Sequence, residues 1–208
     1  GYVCQELGGT FMLVFASPAA ALEFALLLQY VLMEAAWDEC LLELKSAGTV
    51  ADGSQLLFRG VRARCGIFKG TPSCVVPHRT TGRADVFGTI VNRAARFQSS
   101  AYGGQILVSD DVHRDAREAW NAGARGVSDR PVAERVVIRD IGRFRFKGVE
   151  TSYRIIEMIP AALQARQRHI PGRPPAGKSV MVRSGKGQIG ESLVHLPDAR
   201  ALVARHQV

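Results

Sequence analysis

Asn92 and Arg96 stand four residues apart in the run DVFGTIVNRAARFQ, Asp85 to Gln98, behind a carboxylate and a glycine turn. Residues at that spacing share one face of a helix, so the carboxamide and the guanidinium can reach the same ligand. Arg is the side chain best suited to bidentate phosphate contact, and Asn can orient a sugar hydroxyl or ring oxygen. Gly88 precedes the apolar residues Ile90, Val91, Ala94, Ala95 and Phe97. Their spacing predicts an amphipathic helix that stops near Tyr102-Gly103-Gly104. Taken alone, NxxxR reads as a solvated surface helix, because short patterns recur by chance. The whole string points to nucleotide chemistry.

That string resembles the purine-recognition and transition-state segment of class III nucleotidyl cyclases, which convert ATP or GTP into a cyclic monophosphate and pyrophosphate. Asp85, Phe87, Gly88, Asn92 and Arg96 occupy the family's places in order, and TTGRAD, Thr80 to Asp85, with Cys74 and Pro77, looks most like the fungal, trypanosomal and algal members. Gly103 to Ser109 resembles the GGQVLVS strand, and Ile141 to Val149 the LGxxxLKGV hairpin, with Lys147 in the place of the triphosphate-binding lysine. Arg62 to Gly70 is similar to the RVGIHTG strand and turn, with Phe68-Lys69 replacing His-Thr or His-Ser. The blocks are colinear over about residues 1 to 159.

The opening segment aligns with the family's GYxVKTEGDxFM, and two functional places differ. Gln5 stands where many adenylyl cyclases have an adenine-reading lysine, and Gly9 stands at the hairpin-tip aspartate that holds catalytic metal. Glycine offers a divalent cation only its backbone carbonyl. The family's first metal aspartate lies on a strand that would precede Gly1, so the chain reads as a piece of a longer protein.

The resemblance implies an α/β (α+β) fold: a curved, mostly antiparallel sheet flanked by helices around a ferredoxin-like core, lacking the family's first strand and helix. It implies a second cyclase domain, in a homo- or heterodimer or within a large protein assembly, that supplies Mg or Mn. In such a composite site Gln5 and Asp85 would read the purine, and Asn92 would orient the ribose. Arg96 would neutralise charge at the α-phosphate, and Lys147 would hold the β and γ phosphates. Asp85 favours adenine, while Gln5 and Glu6 keep GTP open.

Residues 1–159 are read as the cyclase-like domain and 160–208 as a basic tail containing Pro and Gly. The net charge of +8 invites a nucleic-acid reading. From Ala161 onward, however, eight basic residues face only Glu191 and Asp198, among Pro171, Pro174, Pro175 and scattered glycines. That composition predicts a flexible or partner-draped segment, with docking to a protein ahead of RNA or a membrane surface. Cys4, Cys40, Cys65 and Cys74 form no CxxC pair, and the five histidines form no cluster, which leaves a reducing, intracellular compartment as the expectation. No nucleophile elbow supports a hydrolase.

Apolar Phe11 to Trp37 contains only Glu23 and Glu34 as charges, but Ser17-Pro18 divides it. A strand over Phe11 to Phe15 and a helix from Pro18 to about Leu44 account for it better than a membrane span. Beyond it the pattern predicts a loop over Ser46 to Gln55 and a strand over Gly60 to Lys69. A helix from Ser109 to Asn121, a loop over Gly123 to Pro131, and strands over Val132 to Ile141 and Thr151 to Met158 follow. Retention of Asp85, Asn92, Arg96 and Lys147 favours a working half-site. The changes at Gly9, Gln5 and Phe68-Lys69 favour an inactive pseudo-cyclase that keeps the fold as an interaction module.

Overall fold

The computed structural model describes residues 1–122 and 136–182, and the backbone path of 192–194. In chain order the elements are β1 (Tyr2–Leu7), β2 (Thr10–Val14), α1 (Pro18–Glu34), α2 (Glu39–Leu42), β3 (Val50–Asp52), β4 (Gln55–Phe58), β5 (Cys65–Ile67) and β6 (Cys74–Pro77). They continue with β7 (Ala84–Phe87), α3 (Thr89–Ser99), β8 (Ile106–Ser109), α4 (Asp110–Asn121), β9 (Val136–Phe146) and β10 (Ser152–Pro160). A 3-10 helix (Ala161–Arg168), β11 (Ser179–Met181) and β12 (Ser192–Val194) follow.

The central sheet runs β11-β9-β10-β8-β5, with β12 also on β9. Every pairing in it is antiparallel except β5 with β8. The expected mixed fold, a mostly antiparallel sheet flanked by helices, is therefore present.

Alternation along β8 explains the two layers. Ile106 and Val108 face one side, where Leu22, Ala25 and Leu26 of α1 pack with Val112 and Ala116 of α4. Leu107 faces the other, where Phe97 of α3 meets Phe144 and Phe146 of β9. A bulge lets β9 serve both cores. The register slips at Ile141, since Ile156 pairs with Asp140 but Ile155 with Gly142. One extra residue reverses which side chains face inward. Val136 and Ile138 thus enter the first core, Phe144 and Phe146 the second, and Arg143, Arg145 and Lys147 emerge outward.

Ser17 caps α1 by accepting from Ala20 N at 3.3 Å, with Pro18 at the first helical position. The helix stops at Glu34 rather than running on to Leu44. Trp37 Nε1 donates back to Leu32 O at 2.7 Å, Arg59 Nη1 donates to Ala35 O at 2.7 Å, and Asp38 begins a new turn by accepting from Cys40 N. No helix among the described residues is long and apolar enough to cross a membrane. The stretch expected as a loop over Ser46 to Gln55 holds β3 and the start of β4, a hairpin turned at Gly53. The strand expected over Gly60 to Lys69 shrinks to Cys65–Ile67, because Gly60 has φ +74 and abuts the Trp37 indole. The loop expected over residues 123–131, and the first part of the strand expected after it, residues 132–135, lie outside the described residues.

Of the segment expected to be flexible or partner-draped, residues 161–170 pack onto the domain, while 171–182 stay exposed or half-buried. Leu163, Arg166 and Ile170 are buried. Arg166 donates through Nε to Leu57 O at 2.6 Å and through Nη1 to Gln29 Oε1 at 2.8 Å, with its guanidinium 4.5 Å from the Phe58 ring centre. Burial lowers its pKa to about 10, so it remains charged at neutral pH. Arg166→Met keeps apolar bulk but strands these acceptors, and it is expected to cost about 2 kcal/mol in urea unfolding.

His113, on α4, is held below the ordinary 6.5, chiefly by burial, with Arg117 and Arg154 adding to that effect against the opposing pull of Asp110. The unfolded chain therefore takes up the proton first, and stability falls as pH drops through about 6.5. Thermal melts at pH 7.5 and 5.5 are expected to show a smaller acid loss in His113→Asn than in the parent.

Candidate active site

Asp85 sits on β7 and is buried, 7% exposed. Its Oδ1 accepts from Gln5 Nε2 at 2.6 Å, from Val86 N at 3.0 Å and from the Cys4 thiol at 3.3 Å. Among the described residues none donates to Oδ2. The Tyr2 hydroxyl donates to Ala84 O at 2.9 Å and ties β1 to the same strand.

A bulge in β1 makes this convergence possible. Val3 pairs with Leu13 and Gln5 with Met12, which leaves Cys4 as the extra residue. In a regular strand Cys4 and Gln5 would face opposite ways, and here both reach Asp85. Burial, and the Asp85 carboxylate beside it, push the Cys4 thiol up, which keeps it protonated as a donor. Cys4 was not among the expected site residues. Alternation along β1 carries no signal for it, since a bulge is set by the partner strand.

From Asp85 the chain enters α3 through Gly88 at φ +125, where a Cβ would lie 2.4 Å from Ser73 Oγ and 2.8 Å from Ser73 N. Only glycine combines that backbone with that approach. Phe97 is the buried anchor of α3, while Asn92 and Arg96 are exposed. Neither side chain has a hydrogen bond or ion pair among the described residues. Arg93, on the same helix, is instead engaged, 5.8 Å from the ring centres of both Phe68 and Tyr153.

Lys147 lies in the turn after β9, exposed, directly behind Phe146, whose ring is 5.1 Å from Phe97. The structure thus joins Gln5 and Asp85 in direct contact. Asn92 and Arg96 are on one helix reached straight from Asp85, and Lys147 is linked to that helix through its aromatic anchor without touching either.

At the β1–β2 turn Gly8 and Gly9 have φ +55 and +75, the two positive values of a tight hairpin turn. Gly9 N donates to Glu6 Oε1 at 3.1 Å, so the nearest carboxylate is engaged with the turn itself. Among the described residues no group of three or more His, Cys, Asp or Glu side chains is placed to hold a metal ion. The chemistry at Gly9 does not fit a divalent cation. Phe68 and Lys69, which replace the family's His-Thr or His-Ser, serve packing: Phe68 packs against Phe97 and Tyr153, and Lys69 pairs with Asp115.

The chain is 40% identical to an adenylate cyclase of Mycosarcoma maydis over 116 residues, 55% of this chain and 5% of that protein. It is 29% identical to an adenylate cyclase of Schizosaccharomyces pombe over 221 aligned positions, 97% of this chain and 13% of that protein. The chain therefore spans only a small part of these relatives. A solved structure of an adenylate cyclase from Trypanosoma brucei in its monomeric state superposes with a TM-score of 0.58 at 22% identity, covering 76% of this chain and 69% of that one. The adenylate and guanylate cyclase catalytic domain matches residues 2–131, more than half of the sequence. With that match added to the Asp85–Arg96 constellation and the sheet that carries it, the chain belongs to the adenylate and guanylate cyclase catalytic domain family.

Proposed function

We propose that this domain is the metal-free half of a composite cyclase site, contributing purine recognition and charge stabilisation while a partner domain brings the metal carboxylates and their Mg or Mn. The observation that carries the reading is the Gln5–Asp85 contact at 2.6 Å beside a helix whose Asn92 and Arg96 are exposed and unengaged among the described residues.

Asp85 Oδ1 is filled by three donors, leaving Oδ2 as a single acceptor, and Gln5 has one amide hydrogen beyond the one it gives Asp85. One acceptor and one donor match the adenine amino group and ring nitrogen. In the same pose guanine sets O6 against the carboxylate and N1–H against the amide hydrogen, acceptor to acceptor and donor to donor. ATP is accordingly expected to bind about tenfold more tightly than GTP. Asn92 then positions the ribose 3′ oxygen for in-line attack on the α-phosphate. Arg96 stabilises the charge that develops there, and Lys147 holds the leaving pyrophosphate.

Purified alone with Mn or Mg and ATP, the chain is expected to make no cyclic nucleotide. Adding a metal-competent cyclase domain restores product. Robust product from the chain alone would overturn the reading of Gly9.

A second reading has an observation of its own. Phe68 and Lys69 are committed to an aromatic cluster and an ion pair, as a scaffold that no longer turns over would have them. In that reading the domain is a pseudo-cyclase module in a larger assembly, and titration with ATP gives no binding.

A further inference from the structure

We propose that Lys178, from the segment that follows the β9–β10 hairpin and the 3-10 helix, is a second polyphosphate-binding cation set beside Lys147. The inference rests on the half-site reading and deepens it by naming a further contact for the nucleotide's phosphates.

The register places the two lysines together. β11 pairs antiparallel with β9 as Ser179↔Phe146, Val180↔Arg145 and Met181↔Phe144. The ladder continues at both ends: Val182 N donates to Arg143 O at 2.8 Å, and Lys147 N donates to Lys178 O at 3.4 Å. Lys178 therefore lies across from Lys147 where the ladder ends, its own N–H turned back to Pro175 O at 3.4 Å. Residues across from each other in an antiparallel pair project from the same face, with Cα atoms about 4.5 to 5.5 Å apart. That face is the outward one, since Phe144 and Phe146 point into the core while Arg143, Arg145, Lys147 and Lys178 are exposed.

Like charges directly opposite each other on a sheet are unfavourable, and no carboxylate among the described residues pairs with Arg145, Lys147 or Lys178. A multivalent anion between the two ammonium groups reverses the sign of that interaction. Lys carries its charge on a long stem with three donors, so both can converge on one pyrophosphate moiety. The strand that brings Lys178 is not free to drift. Its ladder with β9 holds it in register, and Gly177, at φ +78, turns the chain into it.

The test is calorimetric titration of the full chain and its Lys178→Gln, Lys178→Arg and Lys147→Gln variants with ATP, inorganic pyrophosphate and adenosine. Lys178→Gln is expected to weaken ATP and pyrophosphate binding about fivefold, with the loss shrinking at high salt. Adenosine binding stays unchanged, and Lys178→Arg retains the phosphate affinity. If Lys147→Gln weakens ATP binding while Lys178→Gln does not, Lys178 has no such role and the half-site reading stands. If the parent chain binds neither ATP nor pyrophosphate even with a metal-competent cyclase domain and Mn present, the half-site reading falls and the role of Lys178 falls with it.

Discussion

Arg96→Ala, tested in a mixture of this chain with a metal-competent cyclase domain, is expected to lower kcat on the order of 10²–10³-fold while KM for ATP changes little. Arg96 is exposed on α3 and has no partner among the described residues, so the substitution removes no packing and no buried contact. Stability should stay within about 0.5 kcal/mol of the parent. A large loss of rate without a loss of stability separates a group acting on developing charge from one holding the helix in place. Asn92→Ala should give a comparable loss through misorientation of the ribose, on the order of 10²-fold. Arg96→Lys should recover part of the rate, since it restores charge without the planar fork. An unchanged kcat in both alanine variants would remove the proposed roles.

Gly66→Ala should be the most destabilising single-methyl addition near the site. An ideal Cβ at Gly66 lies 2.0 Å from Gln98 N, 2.6 Å from its Cα and 2.7 Å from Phe97 C. All three are backbone atoms of α3, so no side-chain rotation relieves the clash, and the helix itself must move. That movement lifts Phe97 out of the aromatic cluster with Phe68, Phe146 and Tyr153. The cost is expected to be at least about 3 kcal/mol, above the usual range for overpacking because the obstruction is main chain. Any folded fraction should also lose activity, because Asn92 and Arg96 ride on the displaced helix. Gly172→Ala is the control: its nearest neighbour is Arg139 Nη1 at 3.6 Å, ordinary contact, and its melting temperature should match the parent's.

The geometry of the candidate site was legible where its residues are contiguous, and the fold where its signals are local. Asp85, Gly88, Asn92 and Arg96 lie within one strand-turn-helix unit whose spacing is its geometry, and Ser17-Pro18 announces α1 by cap chemistry alone. What was not legible is set at a distance. Ala35 and Ala36 carry no stop signal, and α1 ends there because Trp37 is tied back to Leu32 and wedged against Gly60. The bulges at Cys4 and Ile141 override the alternation on which a strand reading depends, and they decide that Cys4 reaches Asp85 and that Lys147 faces outward. The segment after Pro160 has the Pro, Gly and basic content of a loose tail. Yet Arg166 finds Leu57 and Gln29, far away in the chain, and those contacts hold it down.

Complementation separates a working half-site from an inert scaffold. This chain is mixed with a cyclase domain that keeps both metal aspartates but has its own counterparts of Asn92 and Arg96 replaced by alanine, and cyclic AMP is measured with Mn and ATP. Each domain alone is predicted to be inert and the mixture active, with that activity abolished by Arg96→Ala in this chain. An inactive mixture, in which the two domains demonstrably associate and this chain is folded, would contradict the half-site account.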